Sequence, residues 1–238
     1  MRCEFSETQF SFCFTFEFIN KYTPWSAIPF FPSTYLEGQP GYGYDVKVGG
    51  NIFFQYKVPE FITRKNSRNP IQWNSLNGPF YRITVNTNSE QYRLLKELKR
   101  IGNEVCYITP QFHKIAEISN FYNESSIVEN SLTYQIEFLP DYGSNTHNIC
   151  YSKNEFMSYI FSEPKMLKKV MFSQVINEMK SLKSRDKSIK DVANSIKNLL
   201  IEHFNFEYLK DSNSQNIVDQ IRGTLLSNFN ILWIPIIK

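Results

Sequence analysis

Residues 43–58 read Gly-Tyr-Asp-Val-Lys-Val-Gly-Gly-Asn-Ile-Phe-Phe-Gln-Tyr-Lys-Val. Val46 and Val48 alternate with polar neighbours, the pattern of a half-buried strand. Gly49, Gly50 and Asn51 tolerate positive φ, so the chain can reverse there. The run Ile52 to Val58 is rich in β-branched and aromatic residues and predicts a second strand. Together these make a β-hairpin. If all three residues 49–51 form its loop, Asp45 lies opposite Gln55; a two-residue loop slips the pairing by one. Gln55 and Lys57, two apart, project from one face of the second strand.

An amide and an ammonium inside so apolar a run need explaining, since an unpartnered buried charge is costly. An Asp, an amide oxygen and a Lys converging on a hairpin can bind a divalent cation and set a positive charge beside its water. The same residues also fit a solvated hairpin face with Gln55 and Lys57 turned outward.

Asp45 followed by Gln55-Tyr56-Lys57 resembles the active-site pattern of the PD-(D/E)XK, or restriction-endonuclease-like, nucleases. The Gln-x-Lys form is similar to that of Mrr-type members. Ser6-Glu7-Thr8-Gln9-Phe10, Gly43-Tyr44-Asp45, Phe80-Tyr81-Arg82 and Val105 to His113 are similar to stretches of a group of uncharacterised bacterial proteins. That similarity runs from about residue 6 to 151. The resemblance implies a mixed-sheet α/β core flanked by helices, and Mg²⁺- or Mn²⁺-dependent hydrolysis of DNA. It further implies that Asp45 and Gln55 ligate the metal and that Lys57 orients or deprotonates the attacking water. Gln55 stands where the family usually carries a carboxylate, so Glu7 or Glu37 would supply the second acid. Glu7 would otherwise cap a helix and Glu37 would otherwise be solvated.

Ser6-x-x-Gln9 is a capping-box pattern and predicts a helix from about residue 7 to Lys21. The phenylalanines at 10, 12, 14, 16 and 18 alternate as in a strand, yet 10, 14 and 18 also form one helical stripe. Helix is the reading adopted. Glu17 then falls on its solvated surface. Prolines and glycines from Pro24 to Gly43 mark a loop that contains Glu37.

From Lys57 to Arg100 there are nine basic residues and three acids, a larger excess than the net charge of +3 on the whole chain. Arg64, Lys65, Arg68 and Arg82, interleaved with Trp73, Phe80 and Tyr81, could track phosphates and stack bases. They equally suit a solvated loop and helix face. Tyr81 to Val85 predicts a strand, Ser89 to Arg100 a capped helix ended by Gly102, and Val105 to Ile108 a strand. Strand, helix, strand suggests a parallel crossover, giving an αβββαβ order with the hairpin. Gln91 opens that helix, either as a positioning residue or simply in water. His113 is more naturally a hydrogen-bonded structural residue than a catalyst.

Residues 1–151 thus read as the α/β core and 152–238 as a C-terminal helical region. Pro164 predicts a helix to about Lys183. Ile189 to Phe204 and Ile217 to Leu225 carry apolar helical stripes, and Ile231 to Ile237 a short strand or docking tail. The helical region offers a surface for a protein partner.

The chain is 42% hydrophobic and 16% aromatic, which predicts an ordered core. Four scattered cysteines without a Cys-x-x-Cys pair disfavour zinc and a disulfide framework. No run of 18 apolar residues predicts a membrane span, and Phe10 to Ile19 lacks the flanks of a signal peptide. The expected location is the cytoplasm. Oligomeric state is left open. Two other readings stand beside the nuclease: a catalytically weak module of the same fold that binds nucleic acid, and an interaction component in a bacterial defence or toxin operon.

Overall fold

The computed structural model describes residues 1–22, 45–48, 52–66, 68–143, 145–155, 157–161, 165–172, 189–211, 217–229 and 231–233. The fold is mixed α/β. In chain order the elements are α1 (Glu7–Tyr22), β1 (Asp45–Val48), β2 (Ile52–Tyr56), β3 (Glu60–Ile62) and α2 (Pro70–Ser75). There follow β4 (Phe80–Asn86), α3 (Glu90–Arg100), β5 (Glu104–Pro110), α4 (Ile115–Asn123) and β6 (Ser131–Gln135). Next come β7 (Thr146–Tyr151), β8 (Met157–Ile160), β9 (Lys165–Lys168) and β10 (Val170–Met171). The described chain closes with α5 (Ile189–Phe204), α6 (Ile217–Phe229) and β11 (Ile231–Trp233).

The hairpin takes the first of the two expected registers, residues 49–51 lying outside the described residues. β1 and β2 run antiparallel with Asp45 opposite Gln55 and Val48 opposite Ile52. They sit within a six-stranded sheet of order β10-β6-β5-β2-β1-β11. β2 pairs parallel with β5, and β1 pairs parallel with β11, Asp45 lying beside Ile231. A second sheet, β3-β4-β7-β8-β9, is antiparallel throughout.

One face of the first sheet carries a largely aromatic cluster. Phe10, Phe14 and Phe18 of α1 meet Phe54 and Tyr56 of β2, together with Phe112 and Phe172. This settles the ambiguity of the phenylalanine run. Phe10, Phe14 and Phe18 are at most 2% exposed, whereas Phe12 and Phe16 are 45% and 47% exposed, so the 3.6-residue period governs. The opposite face, with Phe53 and Tyr107, packs on α3, α5, α6 and the second sheet through Leu94, Leu98, Ile149, Ile196 and Ile221.

Four expectations change. The parallel partner of β5 is β2, not the Tyr81 strand, because β4 pairs with β3 and β7 in the other sheet. Over residues 165–171 the predicted helix gives way to β9 and β10, while Pro164 and residues 173–183 lie outside the described residues. Leu167 is buried and Met166 is 64% exposed, an alternation that suits an edge strand, and the two strands complete one edge of each sheet. Tyr134 to Phe138 alternates in sequence as a strand would, but Ile136–Phe138 forms a 3-10 turn. The region after 151 therefore contributes strands to both sheets as well as helices α5 and α6.

Ser89 caps α3 by accepting a hydrogen bond from the Tyr92 amide at 3.2 Å. Gly102, at φ +93°, follows the helix where a left-handed residue is required. All four cysteines are free thiols. Among the described residues no helix is long and apolar enough to cross a membrane.

Candidate functional site

The hairpin register brings Gln55 level with Asp45 on one side and Tyr107 on the other, in the middle of the first sheet. Gln55 is fully buried, and among the described residues neither its side-chain oxygen nor its nitrogen has a hydrogen-bond partner. A buried polar group left unmatched costs about 1–3 kcal/mol, so such a group in a native core calls for a reason. Its neighbours Phe54 and Tyr56 are satisfied members of the aromatic cluster. Tyr56 even shares a 3.0 Å hydrogen bond with Thr15. The orphaned amide is therefore a property of position 55, not of a poorly packed strand.

Lys57 lies just past the end of β2, its amide donating to the Ile108 carbonyl at 2.9 Å and so prolonging the β2–β5 ladder. Its ammonium has the partner that burial demands: Glu7 Oε1, at 3.5 Å. Glu7 opens α1, the helix started by Ser6, whose Oγ accepts from the Gln9 amide at 3.1 Å. An acid in the first turn also complements the helix dipole. Burial raises the Glu7 pKa above the ordinary carboxylate range, while the Lys57 charge, its hydrogen bond and the Val58 amide pull the other way. Side-chain exposure is 22% for Glu7 and 25% for Lys57, so the pair is half-sheltered and still reachable from solvent.

Asp45 thus stands across the ladder from Gln55, and Glu7 meets Lys57 two residues on. Gln55 Oε1 and the Glu7 carboxylate are oxygen donors of the kind a hard divalent cation takes. The amide oxygen fits that role, since among the described residues it makes no hydrogen bond that ligation would have to break. No group of three His, Cys, Asp or Glu side chains gathers among the described residues. The side chain of Asp45 and the whole of Glu37 lie outside that set.

The other predicted positions are scattered. Arg64, Lys65 and Arg68 are exposed on the connection from β3 to α2, with Lys65 Nζ donating to Asn74 Oδ1 at 2.8 Å. Arg82, on β4, is opposite Glu60 in register and paired with it. Phe80 and Tyr81 are buried and Trp73 packs beside Leu76, so base stacking on Phe80 and Tyr81 is ruled out. Gln91 lies in the first turn of α3, where its amide donates to the Phe229 carbonyl at 3.4 Å, tying α3 to the end of α6. Glu17 is not solvated as expected. It is 4% exposed, accepts from the Ile127 amide at 2.6 Å and pairs with Lys21 at 3.1 Å.

His113 is structural, as its setting indicates. It stacks on Phe61 at 4.3 Å, shares a 3.3 Å hydrogen bond with Tyr81 and is buried, which lowers its pKa. Its amide and that of Lys114 donate to Glu117 Oε2, each at 3.0 Å. The unmatched state of Gln55 was invisible in sequence, because only the fold decides which residues surround an amide. The contact of Glu7 with Lys57 bridges fifty positions and likewise has no local signal.

Comparison of the chain with protein-family models, with curated proteins and with solved structures finds no match in any of the three.

Proposed function

We propose that the chain is a divalent-metal-dependent nuclease of the restriction-endonuclease-like type, hydrolysing phosphodiester bonds in DNA. One observation carries the reading: a fully buried Gln55 amide without a hydrogen-bond partner among the described residues, in register with Asp45 and two residues before a Lys57 held by Glu7. The order of α1, a hairpin and a parallel strand beside β2 supports the same reading.

In this proposal Asp45 and the Gln55 oxygen hold Mg²⁺ or Mn²⁺, with Glu7 as the further acid. The bound cation supplies Lewis-acid polarisation of the phosphate and a more acidic water. Lys57 orients that water and offsets negative charge building on the phosphorane. Glu7 keeps the Lys57 ammonium aimed along the end of β2. Exposed Arg64, Lys65 and Arg68 contribute sequence-independent attraction for phosphates.

The test is cleavage of plasmid, linear and single-stranded DNA with and without Mg²⁺ or Mn²⁺, comparing wild type with folded Asp45→Ala and Lys57→Ala. Metal-dependent cutting lost in both variants supports the proposal. DNA binding without cutting turns the reading to a recognition module, and neither binding nor cutting sinks it.

A further inference from the structure

Away from β1, at the other edge of the first sheet, β6 and its following 3-10 turn meet β9 and β10 across a cavity of about 490 Å³. That volume lies within the range of small-molecule sites. Its apolar wall is Phe138, Leu139, Met166, Leu167 and Val170. Phe138 and Met166 are 52% and 64% exposed, so two large apolar side chains stand at the lip in contact with water. Thr133 also lines the cavity, is fully buried and has a hydroxyl without a hydrogen-bond partner among the described residues.

The charges around the cavity are unevenly matched. Lys99 is shared between Glu137 at 2.9 Å and Glu104 at 2.8 Å, so one ammonium offsets two carboxylates on that side of the cavity. Lys96 donates to the Leu139 carbonyl and lies 3.6 Å from Asp141, whose side chain is 99% exposed. Among the described residues Lys165 makes no ion pair; its ammonium donates to the Phe138 carbonyl, at 3.4 Å. Lys96 carries a pKa lowered chiefly by burial, and the charge of Lys165 pushes it the same way. An anion beside Lys165 would offset the repulsion between these two ammoniums.

We propose that this cavity binds a small amphipathic acid, with its apolar chain or ring against Phe138, Leu167 and Val170 and its carboxylate on Lys165. The site is separate from the Asp45 hairpin and does not depend on the proposed nuclease activity. A neutral isostere would gain the apolar contact but not the charge.

Calorimetric titration of the full chain with decanoate, 3-phenylpropanoate and 1-decanol tests this, alongside Lys165→Glu, Lys165→Met and Met166→Glu. Both substituted residues are exposed, and thermal melting checks that each variant folds. Lys165→Glu is expected to weaken the carboxylates by about tenfold or more, the worth of one charge-assisted hydrogen bond, and to leave decanol unchanged. Lys165→Met should weaken the carboxylates less, and Met166→Glu should weaken every probe. Preference for decanoate or for 3-phenylpropanoate tells a chain-shaped occupant from a ring-shaped one. Binding of neither acid at millimolar concentration, or carboxylate affinity indifferent to Lys165→Glu, overturns the proposal.

Discussion

Position 55 shows a conflict between stability and the proposed chemistry. Its amide sits in the fully buried middle of a sheet and makes no hydrogen bond among the described residues. Gln55→Met keeps the length of the side chain and removes both orphaned groups. We expect it to raise stability by about 1–3 kcal/mol in denaturant melts while abolishing metal-dependent cleavage. A loss of stability would show that the amide is satisfied in solution. Glu7 offers a pH test at the same scale. Its folded pKa is raised by burial despite Lys57, so the protonated form favours folding and that contribution fades as pH rises through the folded pKa. The melting temperature of Glu7→Gln relative to wild type, without metal, should therefore climb from acid toward neutral pH. With both side chains partly solvated, losing the ion pair itself costs no more than about 1 kcal/mol.

Among the elements, α1 gives the sharpest contrast. Phe14 is fully buried against Phe18, Phe54, Tyr56 and Phe172, while Phe12 is largely in water. Phe14→Ala should cost about 3–5 kcal/mol and Phe12→Ala well under 1 kcal/mol, measured by urea unfolding. At the start of α4, Glu117 accepts from two backbone amides. Burial pushes its pKa up, but the His113 and Lys114 amides, Lys153 and His113 outweigh that, leaving it below the ordinary carboxylate value. A depressed carboxylate stabilises above its unfolded pKa and loses that effect as pH falls through the folded one. Glu117→Gln should therefore be destabilised at neutral pH, with the gap to wild type closing in acid. These elements also mark where sequence sufficed. The hairpin was legible because Val46, Val48, Gly49 and Asn51 act locally, and α3 because Ser89 and Gly102 punctuate it. β9 was not legible: Pro164 and the lysines around it suit a helix start, and only pairing with β8 makes Lys165–Lys168 a strand. The second sheet was equally hidden, since nothing near Tyr81 says that its partners are Phe61 and Tyr151.

For the whole molecule, the candidate site lies in interior strands and the proposed acid cavity lies among edges. β2 and β5 are each paired on both sides, whereas β9 is bonded only to β8 and β10 only to β6 among the described strands. Hydrogen exchange should therefore find the slowest amides in β2 and β5 and much faster ones in β9 and β10. Equal protection across the four would mean that the edges are closed in solution.

Asp45 has Gln55 on one flank and Ile231 on the other, so the strand that begins the sheet is sealed by one that is translated last among those described. On a ribosome, β1 and β2 emerge well before β11 is made, and closing that contact joins residues as far apart as Asp45 and Ile231. Until β11 emerges, the segment bearing Asp45 is an unsealed edge. A nascent chain would therefore carry its proposed reactive residues in an unfinished setting, and competence would wait for β11.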